Sequence, residues 1–126
     1  MNALAVFIGG GLGSLARYGI GVAASRCWNG PFPWGTWIAN VLATGILVAV
    51  TMSVTPHLAQ LNRQQQAWVL LGTTGFCGGF STFSTFSLDT LQLFAQGEVA
   101  TAWANVLFSV AGCLVAGALV WRAVGH

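Results

Sequence analysis

Four apolar stretches, each long enough to cross a bilayer and joined by short polar loops, leave this chain few folds to choose from. A membrane-spanning helix needs about 20 apolar residues. Inside lipid every backbone N–H and C=O must be satisfied within the chain, so such stretches are expected as helices. They run from about Asn2 to Ala24, from Trp34 to just before Pro56, from about Gln66 to Phe94, and from about Val99 to Val120. Little is left over for a soluble domain, and residues 1–126 are read as one four-helix transmembrane domain. Only 5% of residues are charged, against roughly 25% in soluble domains. They are Arg17, Arg26, Arg63, Asp89, Glu98 and Arg122. The net charge of +2, without a lysine or a basic patch, excludes nucleic acid as a partner. No basic segment precedes the first apolar run, which is therefore read as a retained helix rather than a signal peptide.

The polar punctuation predicts how the segments pack and insert. Gly9 and Gly13 in the first segment have the small-xxx-small spacing that lets helices approach closely. Trp34 and Trp37 at the start of the second suit an interfacial aromatic belt. The third is too long and too glycine-rich for one straight helix and is expected to be broken. With the N-terminus inside, Arg63 and Arg122 fall on the inner side, and Arg26 on the outer, with Arg17 near the outer boundary. Basic residues normally concentrate inside, so this weak bias predicts insertion in both orientations.

Several familiar chemistries are excluded. Cys27, Cys77 and Cys113 are odd in number and far apart, without metal-ligand spacing, and read as small packing residues. The run Gly11-Leu-Gly13-Ser-Leu-Ala16 matches a relaxed dinucleotide fingerprint, but no strand–helix units surround it and no acidic residue follows about 20 positions on. His57 lies in a loop and His126 at the terminus, and no nucleophile–base pair is visible, so the chain is not expected to be an enzyme.

The chemistry-bearing stretch is Gly75 to Phe86, GFCGGFSTFSTF. Phe80, Phe83 and Phe86 recur every third residue, with Ser81, Thr82, Ser84 and Thr85 between them. The pair Gly78-Gly79 is able to unwind the helix, since glycine adopts unusual conformations cheaply. Unwinding would free carbonyls, which broken membrane helices use to coordinate cations; close packing of two helices is the plainer reading of the same glycines. A phenyl ring has a positive edge and a negative face. Ring edges and hydroxyls suit an anion, ring faces a cation, and the residues alone leave both open. Asn105 and Ser109, four apart, share one helical face, which Cys113 continues. Asn40, near Thr36, serves either as a solute ligand or as an interhelical partner, because an unpaired amide is costly in lipid. Arg17 is placed to attract anions to a vestibule or to snorkel to the headgroups. Asp89, the one carboxylate in the apolar segments, could carry protons in an exchanger or pair near the helix break.

These residues resemble the Fluc (CrcB) family of bacterial fluoride channels. GFCGGFSTFSTFS, preceded by GTWIAN and GSLARYG, carries the resemblance, which covers essentially the whole chain. It implies a multi-pass protein of the bacterial inner membrane that exports fluoride passively, as an antiparallel, dual-topology homodimer with two pores and a central structural sodium ion. By motif position, Phe83 and Phe86 would present ring edges to fluoride, and the carbonyls of Gly78 and Ser81 would hold the sodium. Asn40 would be a pore-associated amide, Arg17 the vestibule arginine, and Ser84 and Thr85 part of the hydroxyl motif. Asn105 and Ser109 would form a polar track along the fourth helix. Phe80 is then a packing residue. Two positions depart from the family pattern: Asp89 stands where glutamate is frequent and Asn105 where tyrosine is frequent. The rival is a small proton-coupled multidrug exporter, in which Asp89 would have to carry the proton because the first helix has no carboxylate.

Overall fold

A computed structural model describes residues 1–125; His126 lies outside the described residues. The described chain is all-helical, without a strand. Helix α1 (Asn2–Cys27) is followed by α2 (Trp34–Val54), which continues through a 3₁₀ segment at Thr55–Gln60. Helix α3 (Arg63–Leu70) runs into a π-helical segment, Leu71–Cys77, and a short helical turn, α4 (Gly78–Phe80). Helices α5 (Phe83–Ala95) and α6 (Val99–Val124) complete the chain. Three helical stretches are long and apolar enough to cross a membrane: Asn2–Cys27, Trp34–Gln60 and Val99–Val124.

Local chemistry explains the boundaries. Asn62 and Gln65 form a reciprocal capping box that starts α3, slightly ahead of the expected Gln66. Helix α5 ends where Gly97, at φ 79°, adopts the left-handed conformation. Glu98 N–H bonds the Leu93 carbonyl and Gly97 N–H bonds that of Phe94, which closes the terminal carbonyls in a Schellman motif. Between α1 and α2, the rings of Phe32 and Trp34 pack with centroids 4.6 Å apart, Trp34 meets Trp37 edge-on, and Trp37 Nε1 donates to the Phe108 carbonyl.

The packing is built on small residues. The buried positions are mainly alanine, glycine and cysteine, among them Ala5, Gly9, Gly13, Ala39, Ala43, Cys77 and Ala102, while Phe7, Leu12, Leu15, Leu107, Leu114 and Leu119 face outward. Lipid offers no hydrophobic incentive to hide large side chains, so close backbone approach holds such helices together. Helix α1 packs chiefly on the π-helical segment, and α2 on α6. A Cβ at Gly9 would overlap the Leu71 carbonyl, one at Gly13 the Phe76 carbonyl, and one at Gly79 the Gly10 carbonyl. Phe80, 3% exposed, is the large side chain of a core shared with Ala39 and Ala43.

The pair Gly78-Gly79 does not unwind. Both residues are helical, and Gly79 serves the close contact with α1. The interruption falls two residues later, at Ser81 (ψ 156°) and Thr82 (ψ 119°), which are extended. Glycine at 79 was selected by the space available rather than by backbone freedom.

Candidate functional site

The site is assembled around the two extended residues. Thr82 N–H donates to Asn40 Oδ1 (2.7 Å), and Asn40 Nδ2 donates back to the Thr82 carbonyl (3.1 Å). One side-chain amide on α2 thus satisfies a main-chain unit removed from its helix, which an apolar surrounding requires. Thr82 also caps α5, its Oγ1 accepting from Thr85 N–H at 3.1 Å. These substitutions have a second consequence. In an unbroken helix Thr82 N–H would bond the Gly78 carbonyl, and Thr85 N–H would bond that of Ser81. Both donors are turned elsewhere, so the carbonyls of Gly78 and Ser81 are released from helical pairing. The Gly79 carbonyl accepts from Arg17 Nε at 3.2 Å. Arg17 therefore sits at the break, with Nη1 3.5 Å from Thr85 Oγ1, and not at a headgroup end of α1.

Asn40→Ala is expected to lower the melting temperature of the detergent-solubilised protein markedly, because it strips both bonds from Thr82. An unsatisfied buried polar group costs about 1–3 kcal/mol. A variant that melts like the parent would show that Thr82 finds other partners.

Two cavities flank the break. The first, about 290 Å³, is lined by Asn40, Ser81, Phe83, Phe86 and Ser109, with Thr44, Thr82, Val110 and Cys113 completing it. It brings together residues of α2, α5 and α6 separated by up to 73 positions in the chain, from Asn40 to Cys113. The rings of Phe83 and Phe86 stand with centroids 5.5 Å apart, and Phe83 is 79% exposed. No carboxylate lines this cavity. Asn40 Nδ2 carries a second hydrogen beyond the one given to Thr82, so it is a donor to whatever enters. The second cavity, about 340 Å³, is lined by Gly78 and Ser81 together with Thr44, Thr73, Thr74 and Cys77 among others. Ser81 and Thr44 belong to both.

The remaining expected site residues stand behind or beside the first cavity. Asn105 is fully buried and does not line it. It accepts from Ser109 Oγ (3.3 Å) and donates to Thr90 Oγ1 (2.9 Å), which in turn donates to the Phe86 carbonyl (2.8 Å). The polar stripe of α6 is thereby tied to the helix that presents the phenylalanines. Ser84 is exposed, its Oγ 3.3 Å from Thr82 Oγ1, and Thr85 Oγ1 accepts from Thr82 Oγ1 at 3.1 Å. Asp89 accepts from Thr36 Oγ1 at 2.8 Å and is absent from both cavity walls. Thr44, Thr82 and Thr90 were not among the expected site residues. Thr36, Asn40 and Thr44 recur every fourth residue of α2, a helical stripe that would have exposed Thr44; Thr90 carried no such signal.

A multi-pass helical membrane protein, with a hydroxyl- and phenyl-lined cavity at an interruption between helices, is the class that this geometry defines. The family model described as "CrcB-like protein, Camphor Resistance (CrcB)" matches residues 4–121, and the chain belongs to that family. It is 43% identical to a protein of Serratia proteamaculans named fluoride-specific ion channel FluC, over 89% of this chain and 84% of that one. Proteins of the same name from Nitrobacter winogradskyi and Methylobacterium nodulans are 42% and 46% identical, covering 96% and 88% of this chain and 95% and 86% of their own.

Proposed function

We propose that this chain is a passive, fluoride-selective ion channel that releases fluoride from the cytoplasm across the bacterial inner membrane. It is a transport protein of its family rather than an enzyme, and nothing favours the exporter reading, since Asp89 is engaged by Thr36 away from the cavity. The observation that carries the reading is the wall shared by Phe83, Phe86, Asn40 and Ser109, with no carboxylate among them. Fluoride holds water strongly, and a pore must replace that water without binding the ion too tightly. Neutral N–H and O–H donors and positive phenyl edges meet that need. A carboxylate would repel the anion. Arg17, at the break, would raise the local anion concentration.

The functional unit is an antiparallel dimer of two four-helix domains, each spanning residues 1–126 with a broken third membrane segment. Freed carbonyls and hydroxyls are unsuited to face lipid, and a second copy would cover them. Neutral carbonyl oxygens are hard ligands suited to an alkali cation, and the described residues hold no cluster of His, Cys, Asp or Glu able to bind a metal. Gly78 and Ser81 fit a sodium ion in that sense, two oxygens from each chain. When bound, the ion would supply a fixed positive charge joining the two interruptions.

Purified protein in liposomes should release loaded fluoride rapidly to a fluoride electrode and retain chloride. A folded dimer that passes no fluoride would overturn the reading.

A further inference from the structure

At the end of the molecule shared by the start of α1 and the start of α3, a cavity with a polar lining adjoins an apolar one. The polar cavity, about 420 Å³, is bounded by Asn2, Arg63 and Gln66. The apolar groove, about 240 Å³, runs along Leu4, Ile8, Ala67, Trp68 and Leu71. Met1 lines both, so they adjoin. Arg63 is exposed. The chain has two acidic side chains: Asp89 accepts from Thr36 and Glu98 from Thr101. The first turn of α3 holds no acidic residue.

We propose that this composite groove binds a membrane phospholipid, its phosphate against Arg63 and one acyl chain along the apolar wall. The change from Arg63 and three glutamines to Ala67 and Trp68 takes little more than one helical turn, the distance over which a bilayer passes from headgroup to hydrocarbon. Trp68, 65% exposed, lies where an interfacial tryptophan is favoured. Charge selects the occupant: an exposed cation beside a groove that accepts a chain fits an anionic glycerophospholipid better than a neutral one.

The test is native mass spectrometry of the detergent-solubilised protein titrated with phosphatidylglycerol or phosphatidylcholine. The parent should retain phosphatidylglycerol preferentially. Arg63→Gln should bind it about fivefold more weakly, the effect expected of one arginine near an anionic surface, and should lose the preference. Ala67→Phe, which fills the groove, should weaken both lipids, and millimolar inorganic phosphate should displace neither. Unchanged phosphatidylglycerol binding by Arg63→Gln, or displacement by phosphate alone, would overturn the proposal. Because neither residue lines the cavities at the break, fluoride flux reads the two proposals separately.

Discussion

Phe83→Ile should reduce fluoride efflux from liposomes by about thirtyfold or more while leaving the protein folded. Phe83 is 79% exposed in the single chain and contributes little to its core. Isoleucine keeps the wall apolar and bulky but removes the ring quadrupole. A desolvated ion at an aromatic ring is stabilised by about 2 kcal/mol when the polarity matches. The edge presents the opposite polarity to the face, so the same order is expected for an anion. As a barrier, 2 kcal/mol corresponds to about thirtyfold in rate. The change also removes the contact with Phe86, worth about 0.5–1.5 kcal/mol in an aromatic pair, which should appear as a small shift in melting. Normal flux in this variant would remove Phe83 from the ion path. Lost flux together with an aggregated protein would assign it a structural role instead.

The largest effect on folding should come from Gly13→Ala. The added carbon would collide with the Phe76 carbonyl and the Phe80 amide, both main-chain atoms that no rotamer change can move. Overpacking a tight interior costs about 1–3 kcal/mol, and here relief requires α1 to shift off the segment it packs against. Alanine would recover up to about 1 kcal/mol of helix propensity, less than the collision costs. Gly19→Ala, on the same helix, meets no atom within 4 Å and should be neutral or slightly stabilising. Melting followed by size-exclusion chromatography separates the two. If Gly13→Ala and Gly19→Ala melt alike, the glycine contact does not hold α1 in place. A Gly9→Ala/Gly13→Ala double variant should fail to accumulate as folded protein.

Composition and spacing sufficed for the all-helical class and three of the membrane-length helices, because lipid leaves a backbone no alternative to internal hydrogen bonding. Segment ends were legible to within a few residues wherever a local signal set them, as Pro56 and Gly97 did. Of the residues expected at the site, Asn40, Ser81, Phe83, Phe86 and Ser109 meet in one cavity. Where the helix is interrupted was not. Local propensity allows a break at Gly78-Gly79, yet both glycines are helical and Gly79 is packed against α1, and the break falls at Ser81 and Thr82, where Asn40, 42 positions away from Thr82, offers that residue's main chain a donor and an acceptor. The sequence by itself thus determined the kind of protein, through length, period and residue type. The spacing of Gly9 and Gly13 already marked a close-packing face, but the tertiary structure alone decided that Gly79 packs, which carbonyls are freed and which polar side chain faces the cavity rather than standing behind it. Those choices depend on contacts between segments far apart in the chain, which no local pattern encodes.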